Sequence, residues 1–263
     1  MEHPTKAEQF FFENNGYLVR ENFLPPDLLA SLLEVSERVV AERRQKQEKQ
    51  TPHTGMTHLN GESTRIFYIL GDDPLFLEMM TYAPLMPYIY AFLNEKPHHH
   101  ASDYIIEHPQ TGRGMGWHLD GHDNGYRNLR NPIPLLQLKV GYFLSDMTEP
   151  GRGNLCIIPG SHKTALPPDA NDLQNTDLFE GAIQVCVPAG SMVMFHNALW
   201  HSGGPWTQTT GARKLLYYAY EHPWMVGSQE HWCYPPEFYK NLTPAQRSLF
   251  HGFVFDPPEA RWG

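Results

Sequence analysis

At 263 residues the chain is long enough to bury a sizeable core, and a β-barrel of this size is commonly a single undivided domain. Hydrophobic residues make up 41% and charged residues 19%, the balance of an ordinary globular protein. A net charge of −9 leaves no basic stripe to neutralise phosphates, which argues against nucleic acid as a partner and weighs mildly against a polyanionic substrate.

Thr5 and Glu8 form a capping-box pair, and Gly16 is placed to end the short helix they open. Gly16-Tyr17-Leu18-Val19 continues as a strand. After Pro25-Pro26, Asp27 is placed to cap a helix whose apolar residues Leu28, Leu29, Leu32, Leu33, Val39 and Val40 recur at helical spacing. Its charged tail, residues 42–49, reads as a solvated helix end. Residues 51–60 carry glycine and polar punctuators and read as a loop, and a strand is predicted over residues 65–70. Asp73-Pro74 opens a helix with proline at its first position, and apolar residues over 85–93 predict another.

From about residue 98 the texture changes to short β-like runs broken by Gly, Pro and Asn, over 102–107, 135–144, 155–158, 182–187, 191–195 and 215–221. Many short strands with turns between them indicate a mainly β protein. The expected fold is a jelly roll, a cupin-like double-stranded β-helix, with N-terminal α-helices bracing one sheet. Residues 1–263 read as one domain, with a helical part to about 97, the jelly-roll core over 98–222 and an aromatic-rich C-terminal segment over 223–263. Thr243-Pro244 is placed to cap a last helix there. Cys156, Cys186 and Cys233 lack the spacing of a disulfide framework or a zinc site, which points to a reducing compartment. With neither a signal-peptide core nor a membrane-length apolar run, a cytoplasmic protein is expected, without membrane partners. A homodimer through a sheet edge or the C-terminal segment stays open.

One run stands out from this background, Gly116-Trp117-His118-Leu119-Asp120, answered downstream by His201 and Arg213. On an extended strand His118 and Asp120, two apart, point to one face, and His201 folded in from elsewhere completes a 2-His-1-carboxylate set. That set holds one face of an octahedral Fe(II) and leaves the other open for a co-substrate and O2. An isolated His-x-Asp is usually no metal site, so the weight comes from the surroundings. Pro188-Ala189-Gly190-Ser191 is a tight turn, a strand follows, His201 stands at a strand end before Gly203-Gly204, and Arg213 opens the next strand. An arginine there can hold a carboxylate through its bidentate fork.

His162 and His196 are less favoured as ligands: His162 follows the structural turn Pro159-Gly160-Ser161, and alternation turns His196 away from His201. His98-His99-His100 reads as solvent or loop histidine, since successive strand residues diverge. His122 is either a substrate-facing group or a plain loop residue, and the polar loop 121–134 either a substrate lid or a solvated connection.

The chain resembles the phytanoyl-CoA dioxygenase family of Fe(II)/2-oxoglutarate-dependent oxygenases. The resemblance is carried by Phe11-Phe12-Glu13-Asn14-Asn15-Gly16-Tyr17-Leu18-Val19, Gly116 to Gly121, the block Gly153-Asn154-Leu155-Cys156-Ile157-Ile158-Pro159-Gly160-Ser161-His162, and the stretch 189–213. It runs in order from about residue 8 to 221. It implies His118, Asp120 and His201 as iron ligands, Arg213 as partner of the distal carboxylate of 2-oxoglutarate, and Ser202 as a further hydrogen bond to it. It also sets Tyr142 beside the co-substrate, against the alternative of a core tyrosine. The implied cofactors are Fe(II), 2-oxoglutarate and O2. The implied reaction oxidises a C–H bond of a small-molecule substrate with release of succinate and CO2, and a carboxylate at Asp120 speaks for hydroxylation or a related oxidation rather than halogenation. A cupin-like metalloenzyme that does not use 2-oxoglutarate and a non-catalytic metal-binding barrel are the competing readings; the complete triad with Arg213 opposes both.

Overall fold

The computed structural model describes residues 3–46, 57–60 (backbone only), 63–93, 96–109, 116–120, 129, 132–164, 180–225, 230 and 233–250. Helix α1 (Lys6–Asn15) opens at the Thr5–Glu8 capping box and ends at Gly16 in the left-handed region, φ 79°. Strand β1 (Tyr17–Arg20) leads to α2 (Pro26–Lys46), which begins one residue before Asp27; the aspartate therefore lies in the first turn rather than at the cap. The hairpin β2 (Thr57–Asn60) and β3 (Ser63–Phe67) follows, then α3 (Pro74–Met79), whose first turn is capped by Asp73, and α4 (Met86–Leu93).

The remaining strands are β4 (His98–Glu107), β5 (Gln137–Phe143), β6 (Leu155–Ile157), β7 (Ile183–Gln184), β8 (Ser191–His196), β9 (His201–Gly203) and β10 (Arg213–Glu221). Two short helices close the described chain, α5 (Pro236–Lys240) and α6 (Pro244–Arg247), the latter opened by Thr243 in a second capping box.

Seven strands form one antiparallel sheet in the order β1-β8-β5-β10-β4-β3-β2, and three form a smaller sheet, β7-β6-β9. Two such sheets with helices against one of them make the expected jelly roll. The central strands β5, β8 and β10 of the large sheet are buried on both faces. Along β10, Leu216, Tyr218 and Tyr220 join Leu138, Val140 and Met194 in a core with Leu32, Val39, Phe76 and Ile89 of the helices. Tyr218 and Tyr220 donate their hydroxyls to the carbonyls of Phe76 (2.7 Å) and Met80 (2.8 Å), which satisfies buried polar groups and ties α3 to the sheet. Leu215 and Tyr217 turn the other way, into a second core with Phe143, Leu155, Ile157, Val193 and Phe195 between the two sheets.

Three expectations are corrected. Residues 57–60 pair as a strand although their polar sequence reads as loop. Within the charged tail of α2, Arg43 is buried: it donates to the carbonyls of Phe67 (2.8 Å) and Tyr68 (3.0 Å) and pairs with Asp72, so this part of the tail is a clamp and not a solvated end. His98 and His99 are buried on β4 rather than in loop or solvent, because the pairing register shifts between Ala219 and Tyr220 and breaks the alternation at His100. Among the described residues no helix is long and apolar enough to cross a membrane.

Candidate metal centre

His118 and His201 are a reciprocal antiparallel pair: the His118 amide donates to the His201 carbonyl (3.0 Å) and the His201 amide to the His118 carbonyl (3.1 Å). Residues directly opposite in such a pair project to the same face. Their rings accordingly lie 4.2 Å apart between centroids. Two residues on, the Asp120 amide donates to the Asn197 carbonyl (3.0 Å), keeping the segment extended and returning the carboxylate to the face of His118. One ligand atom from each of the three side chains lies within 4.8 Å of the others, and His201 Nε2 is 3.8 Å from Asp120 Oδ1.

Both imidazoles are held in one tautomer. His118 Nδ1 donates to the Gly116 carbonyl and His201 Nδ1 to the Leu199 carbonyl, each at 2.9 Å, which leaves Nε2 of each ring as the atom to face a metal ion. Burial, reinforced by His118, pushes the His201 imidazole down to about 4, and it stays neutral at physiological pH. Burial alone raises the Asp120 carboxyl, but Lys139, His201, His118 and Arg65 outweigh it and hold the group at about 2. Asp120 Oδ2 is buried without a hydrogen-bond partner among the described residues. Two imidazoles whose Nδ1 atoms are engaged by carbonyls, leaving Nε2 to face inward, beside a carboxylate with an unsatisfied oxygen, fit a hexacoordinate divalent iron and leave half its positions for other ligands.

The centre opens on a cavity of about 440 Å³ between the sheets. Arg213 lies at one end, nearly buried, with Nη1 donating to the Gly153 carbonyl (2.6 Å) and Nη2 paired with Glu107 (2.5 Å); its Nε has no partner among the described residues. Ser202 borders the same cavity and donates its hydroxyl to the Gly203 carbonyl at 2.9 Å.

Tyr142 does not. It sits on the helix-side face of β5, among Phe23, Tyr82 and Tyr218, and alternation from Lys139, a cavity residue, turns it away from the co-substrate. The core-tyrosine alternative holds, and the assignment of Tyr142 to the co-substrate is withdrawn.

His162 and His196 meet each other rather than the centre, with ring centroids 4.9 Å apart. His162 Nε2 donates to the Glu13 carbonyl (3.1 Å), and a Cβ on Gly16 would lie 2.5 Å from its Nδ1, so the Pro-Gly-Ser-His turn docks on the left-handed glycine that ends α1. His122 and most of the loop 121–134 lie outside the described residues.

Sequence reasoning missed Arg65, Lys139, Glu107 and Tyr217, which line the cavity, and Asp103 beneath them. The available signal was a charge inside an apolar strand, Leu138-Lys139-Val140, and an acid at Asp103 and at Glu107 on β4. Gly141 carries another: a Cβ there would lie 2.6 Å from the ring of Tyr217, so only glycine lets that ring lie across β5.

A jelly roll with two histidines and a carboxylate on one inner face defines a mononuclear non-haem metal oxygenase fold. Residues 12–214 match the profile of the phytanoyl-CoA dioxygenase (PhyH) family. The chain belongs to this family of Fe(II)/2-oxoglutarate-dependent oxygenases.

It is 27% identical over 236 residues to ectoine dioxygenase of Stutzerimonas stutzeri (strain A1501), covering 80% of this chain and 74% of that protein. Among solved structures it is similar to iron-bound EctD from S. alaskensis, with a TM-score of 0.68 at 22% identity over 84% of this chain and 78% of that one. HygX from Streptomyces hygroscopicus with nickel and 2-oxoglutarate bound gives 0.63 at 19% identity, over 86% and 90% respectively. At such identities the structural likeness is one of fold.

Proposed function

We propose that the chain works as one oxygenase domain that oxidises a C–H bond of a small-molecule substrate, consuming 2-oxoglutarate and O2. The observation that carries this reading is the convergence of three ligand atoms within 4.8 Å, both imidazoles presenting Nε2. When bound, Fe(II) supplies oxygen activation coupled to the decarboxylation of 2-oxoglutarate to succinate and CO2. His118, Asp120 and His201 hold the ion, and their backbone pairing fixes its place before anything binds. Arg213 receives the distal carboxylate of 2-oxoglutarate through donors that Gly153 and Glu107 leave open, Nε among them. Ser202, which lines the same cavity, turns its hydroxyl from the Gly203 carbonyl to the co-substrate. Phe195, Leu155 and Ile105 line the cavity with apolar surface, which limits water at the reacting centre.

Anaerobic titration of the metal-free protein with Fe(II) and then 2-oxoglutarate tests this. A visible charge-transfer band that needs both components, and is absent from His201→Ala, is the expected result. Iron binding without a band on adding 2-oxoglutarate would overturn the co-substrate assignment, and failure to bind iron would overturn the reading altogether.

A further inference from the structure

The cavity holds a cation that the reaction outlined above leaves unused. On β5, Leu138 and Val140 pack into the helix-side core, and alternation directs Lys139 between them into the cavity. Its side chain is only 12% exposed. Among the described residues its ammonium makes no hydrogen bond; its nearest carboxylate oxygen is Asp103 Oδ1, at 3.9 Å, and it stands 5.0 Å from the centre of the Tyr217 ring. Three donors on a largely buried ammonium have no acceptor, an arrangement that an anionic ligand would relieve.

Asp103 cannot settle this demand alone. Its other oxygen receives Nε (2.7 Å) and Nη2 of Arg65, which also lines the cavity. Arg65 and Lys139 therefore share one carboxylate, and the other acids among the described cavity residues are engaged elsewhere, Glu107 with Arg213 and Asp120 at the metal centre. Among the described residues the shortfall at this end is one negative charge. A carboxylate closes it, and a dianionic phosphate ester would overshoot.

Nor does Lys139 share the distal carboxylate of the co-substrate with Arg213. It lies opposite Ala219 on β10, six residues beyond Arg213, so the two cations are attached about 20 Å apart along the strand. We propose that Lys139, with Arg65 beside it, binds a carboxylate of the substrate, so that the enzyme acts on a small monocarboxylic acid whose reacting C–H bond faces His118, Asp120 and His201. This rests on the oxygenase reading and adds to it the chemical class of substrate.

The test uses protein loaded anaerobically with Fe(II) and 2-oxoglutarate, and a panel of three- to eight-carbon monocarboxylic acids and amino acids, each paired with its primary amide. Binding is read as perturbation of the charge-transfer band, with no turnover needed. The expected result is that acids perturb the band at concentrations at least tenfold below those of their amides. Lys139→Met should abolish that preference while 2-oxoglutarate still produces the band, and Lys139→Arg should restore it. Acids that merely ligate the metal would bind Lys139→Met equally well, which overturns the proposal. So do equal responses to acids and amides, a panel in which no acid binds, and a Lys139→Met variant that instead loses 2-oxoglutarate. A wild-type protein that forms no band removes the oxygenase reading itself, a result distinct from a band without acid preference.

Discussion

Arg213 carries two duties with one guanidinium. Glu107 and the Gly153 carbonyl fix its plane from one side, and what remains is offered to the cavity. A lysine at this position keeps the charge and loses the fork. Arg213→Lys is therefore expected to weaken 2-oxoglutarate by about ten- to a hundredfold, the equivalent of a charged hydrogen bond of about 1.5–3 kcal/mol. Iron affinity should change little, because the three ligands do not depend on the guanidinium for position. Anaerobic titration of the charge-transfer band measures both, and unaltered 2-oxoglutarate affinity would move the anchor to another residue. The clustering of His118 with Asp120 was legible in the sequence because a strand repeats every two residues, so a His-x-Asp pair needs no tertiary knowledge to face one way. Tyr142 misled because its place was judged by distance from Gly153, which says nothing of phase; Lys139, three residues earlier, marks which face of β5 looks inward. Glu107, Asp103 and Arg65 were illegible as site residues, since their meaning comes only from strands paired far apart in sequence.

At the scale of elements, two segments remote in sequence turn out to be one joint. Gly16 closes α1 with φ 79°, and His162 lies so close that a side chain would meet its ring at 2.5 Å and Leu199 at 2.8 Å. Gly16→Ala adds a left-handed strain and an overpacked contact, together about 3 kcal/mol of stability. Urea unfolding should show the midpoint fall with an unchanged slope; a variant as stable as the parent would mean that the turn yields freely. The helices, their caps and most strands of this part of the chain were readable from local chemistry, since capping boxes and apolar periodicity act within one turn. β2 was not. Three of its four residues are polar, and only pairing with β3 makes them a strand. Arg43 was equally hidden, because a charge run looks solvated until Asp72 and two carbonyls arrive from another element.

For the molecule as a whole, burial of neutral histidine sets the response to acid. Burial, helped by His162, lowers His196 to about 3, and His201 is lowered to about 4. Unfolded, each titrates near 6.5, so between pH 6.5 and about 4 the unfolded chain binds more protons than the folded one and stability falls as pH falls. Each group contributes about 1.4 kcal/mol per pH unit, about 2.7 for the two. Denaturant unfolding of the metal-free protein at pH 7, 6 and 5 should trace this loss, and His196→Asn should make the slope shallower. An unchanged slope in that variant would place the proton uptake elsewhere.

The reciprocal backbone pair of His118 and His201 bears on the choice of metal. Because peptide groups, and not the ion, hold the two imidazoles at their spacing, emptying the centre leaves its donors in place. The protein is thus expected to act as a ready-made chelator with little power to select among divalent ions by shape, its occupancy following the general ligand preference order and cellular supply. Zinc, nickel or cobalt should seat themselves there without any refolding, each producing a stable protein that binds and yet does not turn over. Mismetallation, more than misfolding, is the failure to which this architecture is exposed.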